Sequence, residues 1–212
     1  MIPVYFVIYV FTHSILSVYI PLQDEGFYVE ASSRLISVLH TFYICLFSFS
    51  NLFGYISLEY FLTKIYYTRS YLIYDLLLVT YFRRYYKDYK TIIFHHVAFL
   101  TCLNLLTDYT LLPLGLIAET TNFFLHPSWM LYKLNMSDKY IFKIVSTCLY
   151  LSFFIFRILN FLYILYIVLN EYNKHHMFEI ISLVAIYILN LNWFRILTIK
   201  FNKILTNKFK KE

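Results

Sequence analysis

Seven apolar runs dominate this chain, near residues 2–20, 35–58, 69–83, 91–107, 110–131, 141–169 and 178–199. A helix crossing a hydrocarbon core of ~30 Å needs about 20 apolar residues. Apolar stretches of about this length therefore predict an all-α, polytopic membrane protein with about seven transmembrane helices. The count falls to six if the short third run does not cross. Composition agrees: 14% of the residues are charged, where a soluble domain carries about 25%. The first run lacks a basic leader and a small-residue cleavage site, so it is read as a retained helix rather than a signal peptide.

The formal net charge of +6 is gathered in short loops and the C-terminal tail. That distribution fits membrane topology and argues against a nucleic-acid surface. Arg83, Arg84, Lys87 and Lys90 follow the third run, Lys133 and Lys139 follow the fifth, and Lys200, Lys203, Lys208, Lys210 and Lys211 follow the seventh. With seven helices all three groups fall on one side, which predicts a cytosolic C-terminus. Lys64 and Arg69 then fall on the opposite side, against the trend. The cysteines Cys45, Cys102 and Cys148 lie in apolar runs without CxxC spacing, which predicts buried thiols rather than disulfides or metal ligands.

An ionisable side chain at the bilayer centre costs about 2.5–3.5 kcal/mol on insertion scales, so it needs an interior, a partner or a use. Such residues line up here. Ser37, His40, Ser48, Asn51 and Tyr55 share one helical face of the second run. His96, Asn104 and Thr107 share a face of the fourth, with His95 one step round. Glu119, Asn122 and His126 recur at helical spacing in the fifth, and Ser146, Tyr150, Arg157 and Asn160 in the sixth. The third run adds Asp75. Serine, threonine and asparagine in such positions serve as interhelical hydrogen bonds. The charged and titratable set, His95, His96, Asp75, Glu119 and Arg157, exceeds what packing requires and points to a functional cavity. His175 and His176, in a polar loop, are read as solvated. No metal site is expected: adjacent histidines diverge by about 100° on a helix, whereas metal-binding pairs sit at i, i+4. Without a nucleotide loop or nucleophile elbow, the remaining chemistry is acid–base, an imidazole oriented by a carboxylate.

The fragments "SSRLISVLHTF", "YLIYDLLL", "FHHVAFL", "GLIAETTNFFLHPSWML" and "FFIFRILN" occur in that order. Together they resemble the TLC-domain family, multipass endoplasmic-reticulum proteins that include the ceramide synthases and smaller relatives. The likeness is closest to the smaller relatives, whose pattern places Arg34, Ser37 and His40 early in the second helix. It continues with Asp75, His95–His96, Glu119 with Asn122, and Arg157. Ceramide synthases follow their paired histidines with a His-Asp step and a further Asp three residues on. Here the corresponding positions are Ala118, Glu119 and Asn122, and the homeobox-like insert is missing.

The resemblance implies an N-terminal helix and linker over 1–33, a TLC domain over 34–199 with six helices around a central cavity, and a basic cytosolic tail over 200–212. It implies a role in sphingolipid or acyl-lipid metabolism. In one form this is acyl transfer from acyl-CoA, a co-substrate rather than a bound cofactor, to a lipid amine or hydroxyl. His95 or His96 would be the general base, and Asp75 or Glu119 would orient it. Arg157, His40, Asn122, Asn160 and Asn104 would contact substrate. In the alternative form, the same cavity binds lipid without turnover and regulates membrane composition. The final "KFKKE" resembles a dilysine retrieval signal read by coat proteins, which fits an endoplasmic-reticulum membrane location.

Overall fold

A computed structural model of the chain describes residues 2–19, 24–105, 109–171 and 177–206. All regular structure among them is helical, in seven rods, as the apolar runs predict. The chain divides into two compact units, 1–106 and 107–212.

The first unit holds α1 (Ile2–Tyr19), α2 (Glu25–Leu52), α3 (Leu58–Tyr81) and α4 (Tyr89–Leu105). Helix α1 packs on α2 and α3, α2 packs on α3, and α3 packs on α4. The α2–α3 pair is antiparallel: Ser33 meets Asp75, His40 stacks on Tyr71, Tyr43 meets Tyr67 and Phe47 meets Lys64. The seam is lined by residues three and four apart on each helix, with Ile36, Ile44, Phe61, Ile65, Leu72 and Val79 buried.

Two boundaries differ from the sequence expectation. Helix α2 begins about ten residues earlier, because the supposed linker carries a strong start signal. Asp24 takes an extended conformation and its carboxylate accepts from the Phe27 N–H at 2.7 Å. Glu25 follows in the first turn, where a carboxylate complements the helix dipole. Phe27, Tyr28, Val29 and Ala31 are then buried, so the segment has an apolar face to pack. Helix α2 also ends at Leu52 rather than 58. Gly54 adopts φ 75, a left-handed conformation that glycine takes at little cost, and Ser57 restarts the chain as the cap of α3. Consequently α3 begins eleven residues before 69, and it has length enough that the third run is no longer short. Tyr55, expected on the polar face of α2, lies in the intervening turn and is exposed.

The second unit runs through a 3-10 turn (Tyr109–Leu111), α5 (Leu112–Leu116), a second 3-10 stretch (Ile117–Thr121) and α6 (Asn122–Lys133) as one rod. Then come α7 (Tyr140–Phe153), a π-helical turn (Phe154–Leu159) and α8 (Asn160–Asn170) as the next rod, and α9 (Met177–Leu205). Helix α7 packs on α6 and α9, and α8 packs on α5 and α9. Tyr150 and Phe194 stack at 5.2 Å, and Tyr150 and Phe201 at 4.6 Å.

Among the described residues, three segments are long and apolar enough to cross a membrane on length and composition alone: Glu25–Leu52, Tyr140–Asn170 and Met177–Leu205. Helix α1 is a shorter apolar helix, with Val7, Val10, Phe11 and Val18 exposed. Exposed apolar faces of this kind have lipid as their natural solvent. Lys64 and Arg69, the two cations against the charge trend, each have a local partner. Lys64 lies over the Tyr60 ring at 4.2 Å, and Arg69 donates to the Leu103 carbonyl in the last turn of α4 at 2.8 Å. Cys45 and Cys102 are buried and Cys148 is half-buried, with no disulfide among the described residues. Thr107, His175, His176 and the "KFKKE" tail lie outside the described residues.

Candidate functional site

Each unit contains a buried polar centre. In the first, Asp75 is the hub. It sits six residues before the end of α3, His96 seven after the start of α4, and Ser33 eight after the start of α2. At 1.5 Å per residue the cluster lies roughly 9–12 Å inside the end of the unit that carries the 83–90 loop. Asp75 Oδ2 is 3.1 Å from His96 Nε2, and Asp75 Oδ1 accepts from the Ser33 hydroxyl at 2.9 Å. One carboxylate thereby ties three helices together. Asp75 and His96 are each 7% exposed, so the pair is shielded from water and its interactions are strong.

The other His96 nitrogen fixes the proton inventory. Nδ1 is 2.8 Å from the Ile92 carbonyl, one turn back. A carbonyl only accepts, so Nδ1 carries a proton. Nε2 faces a carboxylate, so a second proton lies between Nε2 and Oδ2. The pair is either imidazolium with carboxylate or imidazole with carboxylic acid, and it is neutral as a whole in both. His96 in this arrangement has no idle lone pair.

His95 is half-buried, with its ring 5.5 Å from that of His96 and steeply inclined to it. It stacks on Phe99 four residues on. The neighbouring histidines thus differ in kind. His96 faces into the unit and His95 lies along its flank, as the 100° step between successive helical residues requires. His40 stacks on Tyr71 with centroids 4.1 Å apart, and its buried Nδ1 has no hydrogen bond. His40, Arg34, Tyr74 and Tyr86 all stand within electrostatic reach of Asp75. Arg34 pairs with Glu30 at 3.4 Å. Tyr86, in the loop between α3 and α4, is buried, and burial followed by the Asp75 charge pushes its phenol well above the ordinary value. Asn104, by contrast, is exposed on α4.

The second unit's centre is built on Arg157. Its Nε donates to the Thr121 hydroxyl at 2.8 Å, and its Nη2 lies 3.5 Å from Glu119 Oε1. Glu119 Oε2 accepts from Asn122 Nδ2 at 2.6 Å, and the Thr121 hydroxyl donates onward to the Ala118 carbonyl. The guanidinium also lies 5.4 Å from the Phe153 ring and 6.0 Å from Trp193. Arg157 stands in the π-helical turn, a local widening of the helix that recurs at functional sites. Asn160, just after it, donates to the Leu114 carbonyl at 2.8 Å. The alternation of 3-10 and α geometry over 109–133, with Pro113 in it, leaves carbonyls for side chains to satisfy. This centre is a buried cation already neutralised and hydrogen-bonded within its own unit.

The structure therefore groups His96 and Asp75, with His40 and His95 beside them, in the first unit. In the second it groups Glu119, Asn122, Arg157 and Asn160. Two members were not among the sequence candidates. Ser33 lies four residues before Ser37 on the same face and was hidden by placing the start of α2 too late. Thr121 sits between Glu119 and Asn122, two residues after the first and one before the second, and the tight local helix brings its hydroxyl to Arg157.

A family model described as the TLC domain matches residues 4–198. No curated protein and no solved structure matches the chain.

Proposed function

The chain belongs to the TLC-domain family, and from that premise we propose that it acts on a membrane lipid at the paired histidines by acyl transfer from acyl-CoA to a lipid amine or hydroxyl. Membership makes it a membrane protein linked to lipid metabolism or sensing; the reaction and the site are our reading. The observation that carries it is the buried His96–Asp75 contact of 3.1 Å inside otherwise apolar helices. A titratable pair so placed costs free energy that packing alone would not require.

In this reaction the acceptor nitrogen or oxygen attacks the thioester carbon and loses its proton to a base. The C–S bond breaks, and the departing thiolate takes a proton. His96 has both nitrogens engaged, so His95 is the base that fits, half-buried beside it. The neutral His96–Asp75 pair fixes the local field and supplies the proton for the leaving group. Arg157 and the amides Asn122 and Asn160 are the oxygen-binding groups of the second unit. His40 is a candidate lipid-headgroup contact, and so is Asn104. The proposal places the protein in the endoplasmic-reticulum membrane with its tail in the cytosol, where acyl-CoA is found and where coat proteins would read the dilysine.

A second reading, lipid binding without turnover, is favoured by one observation. His96, Glu119 and Arg157 all spend their polar atoms on neighbours in their own unit. Purified protein in lipid nanodiscs, given radiolabelled long-chain acyl-CoA and a lipid amine, separates the two. Multiple turnovers support transfer. Stoichiometric lipid capture with no labelled product selects binding.

A further inference from the structure

Arg83, Arg84, Lys87 and Lys90 stand within eight residues at the junction of α3 and α4, and all four are exposed. Among the described residues none of them is in an ion pair, although acids stand in the adjoining first turns of α2. Glu25 is engaged with His13 at 3.2 Å, Glu30 with Arg34 at 3.4 Å, and Asp24 with the cap of α2. Asp88, the one acid inside the segment, is exposed and joins none of the four.

The backbone holds these cations at fixed spacing. The Tyr85 N–H donates to the Phe82 carbonyl at 2.9 Å, that of Tyr86 to Arg83 at 3.3 Å, that of Tyr89 to Tyr86 at 3.3 Å, and that of Thr91 to Asp88 at 3.0 Å. The side chain of Tyr86 is buried and anchors the middle of the segment. The Tyr85 ring lies against Gly26 in the first turn of α2, where an added methyl group would meet its Cδ1 at 3.0 Å. The Arg84 guanidinium in turn lies 4.6 Å from the Tyr85 ring. Like charges held this close repel one another, and a polyanion relieves them. Orienting a membrane helix requires only the charge; it does not require a turn pinned by a buried tyrosine and by a ring seated on glycine.

We infer that the 83–90 turn is the docking site for the phosphate groups of a coenzyme A thioester. Such a molecule carries a diphosphate and a ribose phosphate at one end and its thioester at the other, joined by a flexible pantetheine arm. Its phosphates stay in headgroup water while its acyl chain lies in the bilayer. Helix α4 begins at Tyr89, inside the turn, and His95 is six residues on. At 1.5 Å per residue His95 is about 9 Å along the helix from the cations, a distance the arm can cover. Arg83 and Arg84 suit bidentate contact with phosphate, and Lys87 and Lys90 add point charge. The other basic loop differs: Lys139 has Asp138 at 3.7 Å and Lys133 lies over the Trp129 ring at 5.6 Å.

The inference rests on the acyl-transfer reading in naming a coenzyme A thioester, but its test involves no turnover, so the two can fail separately. Radiolabelled coenzyme A is bound to the full chain in phosphatidylcholine nanodiscs, whose headgroups carry no net charge. Pantetheine, which has the arm but no phosphate, is the comparison ligand. Coenzyme A is expected to bind the wild type at least about 10-fold more tightly than pantetheine, and added salt should narrow the gap. Arg84→Gln with Lys87→Gln should weaken coenzyme A binding about 10-fold and leave pantetheine unchanged. Lys133→Gln with Lys139→Gln should change neither. Equal affinity of the wild type for the two ligands would overturn the inference, whatever the folding of any variant. So would equal losses from both variant pairs, which would make net charge the cause. A loop variant that keeps its coenzyme A affinity and instead loses enrichment of phosphatidylserine around the protein would overturn it in favour of a lipid-surface anchor. Phosphate-dependent coenzyme A binding by a protein that forms no acyl-lipid would uphold the site and reject acyl transfer. Acyl transfer with a KM for acyl-CoA unmoved by the loop variant would keep the reaction and reject the site.

Discussion

Asp75 illustrates how far a single residue constrains the rest. Its carboxylate lies too deep to be well solvated, so the chain must supply hydrogen-bond donors, and His96 and Ser33 do so from the two flanking helices. Removing one partner leaves the other uncompensated. His96→Leu alone is expected to destabilise the fold by about 3–5 kcal/mol, while His96→Leu with Asp75→Leu together should cost far less than the sum. Unfolding in a denaturing detergent, run as a double-mutant cycle, measures this, and additive losses would show that the contact is not made. Arg157→Lys makes a parallel case. It keeps the charge but lacks the Nε–H that meets Thr121 and the planar guanidinium that lies near the Phe153 and Trp193 rings. A loss of about 2 kcal/mol is expected by the same assay; a neutral result would mean the charge alone suffices. At this scale the sequence was informative about identity and weak about partnership. Asp75, His96, Glu119 and Arg157 could be picked out because charged residues in apolar runs are costly. That His96 meets Asp75, and Arg157 meets Glu119 and Thr121, depends on helix register between segments many residues apart, which periodicity along one helix does not encode.

Helix existence was legible because each apolar run is long, and helix ends were less so because polarity was read as linker. The stretch 24–34 is polar by composition, yet Asp24 caps it and Phe27, Tyr28, Val29 and Ala31 give it an apolar face. Asp24→Ala is expected to cost about 1 kcal/mol and to fray the first turn of α2, read as faster amide exchange at Phe27. Unaltered protection there would mean that packing, not the cap, sets the boundary. At the other end, Gly54 sits at φ 75 with open space around it, so a methyl group meets no neighbour and only the backbone is strained. Gly54→Ala should cost about 1–2 kcal/mol, and a wild-type midpoint would refute that account of the turn. The π-helical turn at Phe154–Leu159 had no sequence signature, and the mixed geometry of 109–133 had only Pro113 and Pro127 to mark it. Both reflect tertiary demands, the placing of Arg157 and Asn160 against carbonyls of the preceding rod.

For the whole molecule, the apolar runs and the deficit of charge correctly imply a polytopic helical membrane protein, and the match over residues 4–198 puts it among TLC domains. The charge trend predicts that the 83–90 loop and the C-terminus share the cytosolic side, and the local partners of Lys64 and Arg69 account for the two cations that break it. The most direct test of the central claim, that the paired histidines are a chemical centre for lipid, is acyl transfer by purified protein in nanodiscs. The variant is His95→Ala with His96→Ala, checked for wild-type helix content and a monodisperse elution. Labelled acyl-lipid formed by the wild type and lost by about 1000-fold in the variant is the predicted result. Equal product from both, or none from either while lipid still binds stoichiometrically, would contradict it.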